Sequence, residues 1–235
     1  MATTTACTNR LDAAVGHQIQ YLPYVQLLFK DGGWLGFPCG NELFETIIKV
    51  NIARYEIATS DINPRRRLRM ITRILSALAS FDTSVWAEEF AKKADLQDAG
   101  QGKALSETYR LAVLLYCWQT LIKDGGILPK ILGTYREDLR LPSSREEALC
   151  ELLSRLERIW RDEKSWSARA TLWPLLVAGL ELPEPTQRDF ICRCLRRLVQ
   201  HLGAMMPINA ASLLENYWNT PGLWPHTNLG SGVFY

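Results

Sequence analysis

Apolar residues recur every three or four positions along most of the chain, and the alternation of apolar and polar residues that marks a half-buried strand is not found. In residues 41–59, for example, Phe44, Ile48 and Ile52 fall on one side of a helix. The same spacing is present in residues 64–80, 106–126, 142–164, 186–203 and 208–218. The pattern predicts an all-α chain, a single domain over residues 1–235 with about eight to ten packed helices.

Residues that typically begin or end helices frame several of these stretches. The pair Asn63–Pro64 combines a capping side chain with a proline in the first turn, and Asn41 is predicted to cap the first stretch. Ser144 and Glu147 have the spacing of a capping box, in which each side chain accepts a hydrogen bond from the other residue's amide. Gly203 is predicted to close the helix that precedes it.

The stretch 106–126 is apolar on nearly every side, which predicts a helix that passes through the centre of the domain. Gly125–Gly126 is predicted to end it. Residues 94–104 before it are polar and contain glycine, so they are predicted to form a loop. A short helix that starts at Asp82 or Thr83 is expected to precede this loop.

The predicted helical core covers residues 41–218, between a lead-in over residues 1–40 and an aromatic tail over residues 219–235 that is expected to fold back on the helices. No apolar run reaches the roughly 18 residues of a membrane-spanning helix, and the first residues lack the pattern of a secretory signal. We therefore expect an intracellular protein, nuclear or cytoplasmic, without a membrane span. The net charge of +2 argues against the whole chain acting as an electrostatic nucleic-acid binder.

A proline interrupts the apolar run of residues 167–183, at Pro174 directly after Trp173. Because proline has no amide hydrogen, the carbonyl of Ala170 is predicted to lose its helical partner and the helix to bend. Gly179, which has no Cβ, is expected to let another backbone approach closely. The bend either wraps a core helix around a neighbour or opens a pocket, and the pattern leaves both interpretations open.

Three short motifs occur in order along the predicted core. They are SETYRLAVLLYCWQTL at residues 106–121, TLWPLLVAGLEL at residues 171–182 and LLENYW at residues 213–218. In order and spacing, they resemble the motifs of the fungal-specific transcription factor domain, and the resemblance covers residues 41–218. It implies a helical fold in which some members of the family bind small hydrophobic regulators. Members of the family usually carry an N-terminal zinc cluster that binds DNA.

The six cysteines are scattered along the chain, and no pair has the CxxC spacing of a zinc cluster. Cys192 and Cys194 are only two residues apart, but on a helix their side chains point in different directions. We interpret the cysteines as free thiols, buried in a protein of a reducing compartment. We therefore expect no bound metal, no cofactor and no sequence-specific DNA binding by this chain alone.

A ligand pocket at the bend is predicted beside Trp173, with Tyr109 and Tyr116 of the facing helix as neighbours. The other candidate lining residues are Arg110, Trp166 and Trp218. Large aromatic side chains fill cores as well as line pockets, and a core role is the alternative for this set. For Arg110 the alternative is an internal ion pair with Glu107, which lies one turn earlier.

Four arginines of the predicted helix over residues 64–80 fall within one arc, away from an apolar arc that includes Leu68. They are Arg65, Arg66, Arg69 and Arg73. They predict a face for an anionic partner, such as an acidic protein, a phosphate or a nucleic acid, and the alternative is an ordinary solvated surface. Arg67 falls on the apolar side, so it needs an acidic or carbonyl partner if it is buried.

These observations leave two functions open. The first is a non-catalytic effector domain of transcription-factor type without its own DNA-binding module, which binds a small hydrophobic molecule or a protein partner, a homodimer included. The second is a cofactor-independent enzyme, a cyclase or isomerase of fungal natural-product biosynthesis, which uses the same helical pocket. The sequence contains no phosphate loop, dinucleotide fingerprint, nucleophile elbow or HExxH motif, so no catalytic residue is assigned.

Overall fold

Nine α-helices and one short 3₁₀ helix make up the described part of the chain, and no strand occurs among these residues. The structure, a computed structural model, describes residues 19–20, 22–24, 39–60, 62–93, 99–122, 141–163 and 165–220. The 3₁₀ helix is Leu22–Tyr24, and the α-helices are α1 (Asn41–Thr59), α2 (Pro64–Ser80), α3 (Thr83–Lys93), α4 (Gly100–Leu121), α5 (Arg145–Ile159), α6 (Trp166–Arg169), α7 (Leu172–Gly179), α8 (Pro185–Leu202) and α9 (Met206–Asn219). The predicted all-α fold is confirmed. The lead-in over residues 1–40 and the tail over residues 219–235 fall mostly outside the described residues.

Capping interactions occur at most of the predicted helix ends. The side chain of Asn63 accepts a hydrogen bond of 2.8 Å from the amide two residues later, at the start of α2. Ser144 caps α5, since its Oγ lies 3.0 Å from the amide of Glu147. The carboxylate of Glu147, however, accepts from the amide of Ser143 at 2.6 Å, one residue before the partner of a standard capping box. Gly203, with a φ of 61°, ends α8 in the left-handed conformation that glycine adopts readily.

Two helix starts differ from the prediction. Asn41 is the first residue of α1 and not its cap, because Gly40 occupies the N-cap position and no side chain caps this helix. The central helix α4 begins at Gly100, so residues 100–104 belong to its first turns and not to a loop. Gly102 is buried against α3, and this packing outweighs the weak helix propensity of glycine.

Helix α4 passes through the centre of the domain, as predicted. It is buried along most of its length and contacts α1, α2, α3, α5, α6 and α7. Its C-terminal end is held by Arg67 of α2, whose Nη2 donates to the carbonyl of Leu121 at 2.8 Å. A cation at this end also interacts favourably with the helix dipole. Arg67 therefore has the carbonyl partner that its position requires, whereas the predicted stop at Gly125–Gly126 lies outside the described residues.

The Trp-Pro pair lies just after a break between two helices and not inside one bent helix. Helix α6 ends at Arg169 and α7 begins at Leu172, which makes Pro174 the third residue of α7. In the first turn of a helix an amide has no intrahelical acceptor, so a proline is tolerated there. Residues 173–179 are all buried, and α7 packs on α4, α5, α8 and α9. Helix α7 is therefore a second central helix.

Gly179, the last residue of α7, lies against α9. A Cβ at this position would clash with the side chain of Leu214, which is itself fully buried. The expected neighbour of Gly179 was another backbone, and this was wrong, because the close approach is made by a leucine side chain.

We expect Gly179→Ala to destabilise the protein by about 1–3 kcal/mol, because Leu214 must leave its packed position to make room. Gly102→Ala is the matched control, since the nearest atom to its new Cβ would be Cβ of Ala87 at an ordinary contact distance of 3.5 Å. Alanine favours a helix over glycine by about 0.5–1 kcal/mol. Urea unfolding of the two variants should therefore show free-energy changes of opposite sign. Equal stability of both variants would contradict the packing that we describe at Gly179.

Candidate functional site

Three of the six residues predicted to surround a pocket meet at the start of α7. The hydroxyl of Tyr109 in α4 donates a hydrogen bond of 2.8 Å to the carbonyl oxygen of Ala170. Ala170 lies in the break between α6 and α7, and Pro174 four residues later has no amide hydrogen, so a tyrosine side chain is the donor to this carbonyl. Burial raises the pKa of Tyr109 well above its ordinary value, which keeps the hydroxyl protonated.

Trp173 packs against both predicted tyrosines. Its ring stacks on Tyr109 with the centroids 6.0 Å apart and the planes 11° apart, and it meets Tyr116 edge to face at 5.9 Å. Tyr109, Tyr116 and Trp173 are only 2%, 3% and 4% exposed. The structure thus brings together three of the six predicted pocket residues as one buried cluster. A ligand cavity beside this cluster stays a prediction.

A polar network that we did not predict joins this cluster to α1. The hydroxyl of Tyr116 donates to Oδ1 of Asn51 at 2.6 Å and lies 3.4 Å from Nη1 of Arg54. Asn51 is fully buried. The sequence did contain a signal for this network. Asn51 lies three residues after Ile48, which places a polar residue within the apolar stripe of residues 41–59.

The end of α7 is held by side chains from two neighbouring helices. Nε2 of Gln119 in α4 donates to the carbonyl of Val177 at 3.0 Å, and Nε1 of Trp218 in α9 donates to the carbonyl of Gly179 at 2.9 Å. The carbonyl of Gly179 also accepts a long backbone hydrogen bond of 3.5 Å from the amide of Leu182, so Trp218 adds a second donor at this helix end. Trp218 therefore lies at the opposite end of α7 from the start that Tyr109 holds.

Trp166 belongs to a separate aromatic row. It stacks on Phe90 of α3 with the ring centroids 5.0 Å apart, and Phe90 stacks in turn on Trp86 at 4.9 Å. This row joins α6 to α3. Trp166 is thus another predicted pocket residue that the structure places in a different set of contacts.

Arg110 is half-buried and lacks the ion pair that we expected. Glu107 instead pairs with Arg155 of α5, which also binds Glu151 at 2.7 Å. In the described part of the chain, Nε of Arg110 is buried without a hydrogen-bond partner. Burial lowers the pKa of Arg110, and the nearby carboxylate of Glu107 opposes this effect. The prediction of a Glu107–Arg110 pair was wrong because a residue distant in sequence reaches the same carboxylate.

A groove of about 490 Å³ lies between α8 and α9, open to solvent. Its walls include Arg188, Asp189, Arg193, Arg196, Glu215 and Trp218. Cζ of Arg188 lies 5.2 Å from the centroid of the Trp218 ring, a cation–π arrangement, and its Nε donates to the carbonyl of Leu182 at 2.9 Å. Arg196 pairs with Glu215 at 2.6 Å. Among the described residues, the terminal nitrogens of Arg188 and the guanidinium of Arg193 have no hydrogen-bond acceptor.

Glu181 is a buried carboxylate that we had not assigned a role. Its side chain is 5% exposed and forms an ion pair with Arg145 of α5. One of its oxygens, Oε1, is buried and has no hydrogen-bond partner in the described part of the chain. Burial raises the pKa of Glu181, and Arg145 reduces the effect without cancelling it. In the sequence, Glu181 is the glutamate of the Ala-Gly-x-Glu motif at residues 178–181.

The cysteines and acidic side chains form no cluster suited to a metal ion within the described ranges. Cys39, Cys117, Cys192 and Cys194 are buried free thiols, as predicted, while Cys150 is exposed. Burial raises the pKa to about 12 for Cys117 and Cys194 and to about 11 for Cys192. These thiols therefore stay protonated and unreactive at neutral pH.

The four predicted arginines of α2 lie on its surface. Arg66 forms an ion pair with Glu56 of α1 at 2.9 Å, while Arg65, Arg69 and Arg73 are exposed and have no ion-pair partner in the described part of the chain. Three of the four predicted arginines are therefore exposed without an ion-pair partner among the described residues, and the fourth, Arg66, is paired.

The chain matches the model of a known protein family. The family model described as "Fungal specific transcription factor domain" matches residues 33–223, which is most of the chain. The match includes all nine α-helices and the contacts at both ends of α7. No curated protein and no solved structure matches the chain.

We expect Tyr109→Phe to destabilise the protein by about 1–3 kcal/mol, because the partly buried carbonyl of Ala170 loses its donor. The double variant with Pro174→Ala supplies a backbone amide four residues after Ala170, which reaches this carbonyl when the break between α6 and α7 closes into a helical turn, so the same loss of the hydroxyl should then cost less. A double-mutant cycle measured by urea unfolding tests this coupling. Additive effects of the two substitutions would show that the tyrosine does not replace the missing amide.

We expect the stability of the protein to fall as the pH rises through the raised pKa of Glu181. The folded protein holds this proton more tightly than the unfolded chain, whose glutamate titrates near about 4.3, so the stabilisation is complete only below that value. Glu181→Gln removes the titration and should flatten this part of the profile, whereas the exposed control Glu157→Gln should not. Urea unfolding between pH 4 and pH 7 measures all three proteins. The same decline in Glu181→Gln as in the wild type would contradict the assignment.

Proposed function

We propose that this chain, which belongs to the fungal-specific transcription factor domain family, is a regulatory domain that binds a small molecule in the groove between α8 and α9. Family membership supports a transcription-factor-like role. The groove supports ligand binding, and the observation that carries the proposal is the fixed pair of Arg188 and Trp218 in its wall. Its volume of about 490 Å³ falls in the range of known small-molecule sites, roughly 300–1,000 Å³.

The chemistry of the groove favours a ligand that has both an anionic group and an apolar or planar part. Arg188 is held by the Leu182 carbonyl through Nε, which leaves its terminal nitrogens to bind a carboxylate in two-point geometry. Arg193 adds a second positive charge. The half-buried ring of Trp218 offers apolar contact to the remainder of the molecule. The ligand is therefore amphipathic, which refines the hydrophobic molecule inferred from the sequence.

The proposed regulatory role also implies a partner protein for this chain and a location in the cell. The 235 residues contain no CxxC pair, so we propose that this chain acts through a partner protein, in the nucleus or the cytoplasm, and does not itself select a DNA sequence. In the part of the chain that the structure describes, no helix is long and apolar enough to cross a membrane.

We expect organic acids such as decanoate and indole-3-acetate to raise the melting temperature of the protein, and the matching primary amides to leave it unchanged. A ligand present at 100 times its Kd stabilises a protein by about 2.7 kcal/mol. Arg188→Gln should abolish the effect because it removes the anion's donor, while the exposed control Arg161→Gln should retain it. Equal stabilisation by acids and amides, or by the acids in both variants, would contradict the proposed site.

The regulatory role has a separate test. The chain, fused to an unrelated DNA-binding module, should change transcription of a reporter gene that carries the module's binding site. The acids that bind in the melting experiment should alter this effect, and Arg188→Gln should make it insensitive to them. A reporter that responds neither to the fused chain nor to the acids would contradict the regulatory role.

A further inference from the structure

Helix α2 presents one exposed face that is dominated by arginine. Arg65, Arg69 and Arg73 are four residues apart, so they point to one side of the helix and are spaced about 6 Å apart along its axis. All three are exposed, and none has an ion-pair partner in the described ranges. Arg66 lies at the edge of this face and is already paired with Glu56. We call the row of Arg65, Arg69 and Arg73 the arginine row.

The arginine row is unfavourable for the helix by itself. Like charges one turn apart repel each other, and positive charge in the first half of a helix opposes its dipole. Helix α2 contains five arginines and no acidic residue that could offset them. Its opposite side packs on α1 and α4, which leaves the row directed at solvent. An anionic partner would reduce both the repulsion between the arginines and their unfavourable interaction with the helix dipole.

We propose that the arginine row docks an acidic helical segment of another protein. A segment with Asp or Glu four residues apart would place three carboxylates opposite Arg65, Arg69 and Arg73, each able to accept two hydrogen bonds from a guanidinium. Leu68 borders the row and is 38% exposed, although the sequence pattern placed it in the buried arc. It provides an apolar contact beside the charges, so the segment carries an apolar residue next to its acidic ones.

Leu68 favours a peptide over a nucleic acid as the occupant. An amphipathic helix buries an exposed leucine, whereas a phosphate backbone gains nothing from it. The row also contains no aromatic side chain on which bases could stack. The inference deepens the proposed regulatory role by naming the chemistry of its protein partner. It concerns a different surface from the α8–α9 groove, so failure at one surface leaves the other untouched.

The test uses two synthetic helical peptides of about 16 residues, a length at which isolated helices begin to form. In the ordered peptide, three glutamates lie four residues apart with leucines beside them. The scrambled peptide has the same composition, with the glutamates distributed around the helix. By fluorescence anisotropy, we expect the ordered peptide to bind at least fivefold more tightly than the scrambled one. Its affinity should fall with added salt.

Variants of the protein then assign the surface. The triple change Arg65→Gln, Arg69→Gln and Arg73→Gln should weaken binding of the ordered peptide at least tenfold. A control triple removes the same charge at exposed arginines outside both proposed surfaces and should change binding less than twofold. It combines Arg158→Gln, Arg161→Gln and Arg169→Gln. Leu68→Ser should weaken binding of the peptide but not of a random-sequence DNA duplex. Thermal unfolding confirms that each variant is folded.

Several results would overturn the proposal. Equal binding of the two peptides, or equal losses in the two triple variants, would show attraction by net charge alone. Tighter binding of the duplex than of the ordered peptide, lost in the first triple variant, would assign the row to nucleic acid. Absence of binding by the ordered peptide at low salt would remove the docking role altogether.

Discussion

The carbonyl of Ala170 lies in the break between α6 and α7, where no helical amide is in position to donate to it, so it requires a donor from elsewhere. Tyr109 of α4 supplies the donor from 61 residues away. The same tyrosine stacks on Trp173, so one side chain fixes both the distance and the orientation of the two central helices. Each of the other described α-helices packs on at least one of these two.

The opposite end of α7 meets the same requirement with other side chains. Gln119 pairs the carbonyl of Val177, and Trp218 pairs that of Gly179. A helix of eight residues is too short to be stable by itself. Helix α7 is nevertheless wholly apolar and central, because side chains of its neighbours α4 and α9 donate to the carbonyls at its end. Its apolar side chains then stabilise the core on all sides.

This dependence on distant partners separates what the sequence predicted from what it did not. Periodicity and caps such as Asn63 and Gly203 involve residues within a turn or two of each other, and these predictions are confirmed. The open carbonyl at Ala170 was also predicted, although as part of one bent helix and not of a break between two helices. Its donor was not, and neither was the choice of Arg155 over Arg110 as the partner of Glu107. Both depend on which helices become neighbours.

The candidate site likewise contains some residues that meet as the sequence predicted and others that do not. Tyr109, Tyr116 and Trp173 were expected together, and they meet because the motifs that contain them form the two central helices. Trp166 and Trp218 were assigned to the same pocket on their bulk alone. The bulk of a tryptophan suits any apolar contact, so it carries no information about which contact is made.

The position of Trp218 links the surface to the core. It lines the α8–α9 groove with Arg188, and its Nε1 also holds the last carbonyl of α7. Arg188 in turn binds the carbonyl of Leu182, directly after α7. A ligand changes the state of a protein only through contacts that differ between its states. An anion that reorients Arg188 or displaces Trp218 would act on the bonds that end α7, and through α7 on Tyr109. If the proposed groove binds an anion, α7, a helix of eight residues, is the element that connects it to the centre of the domain.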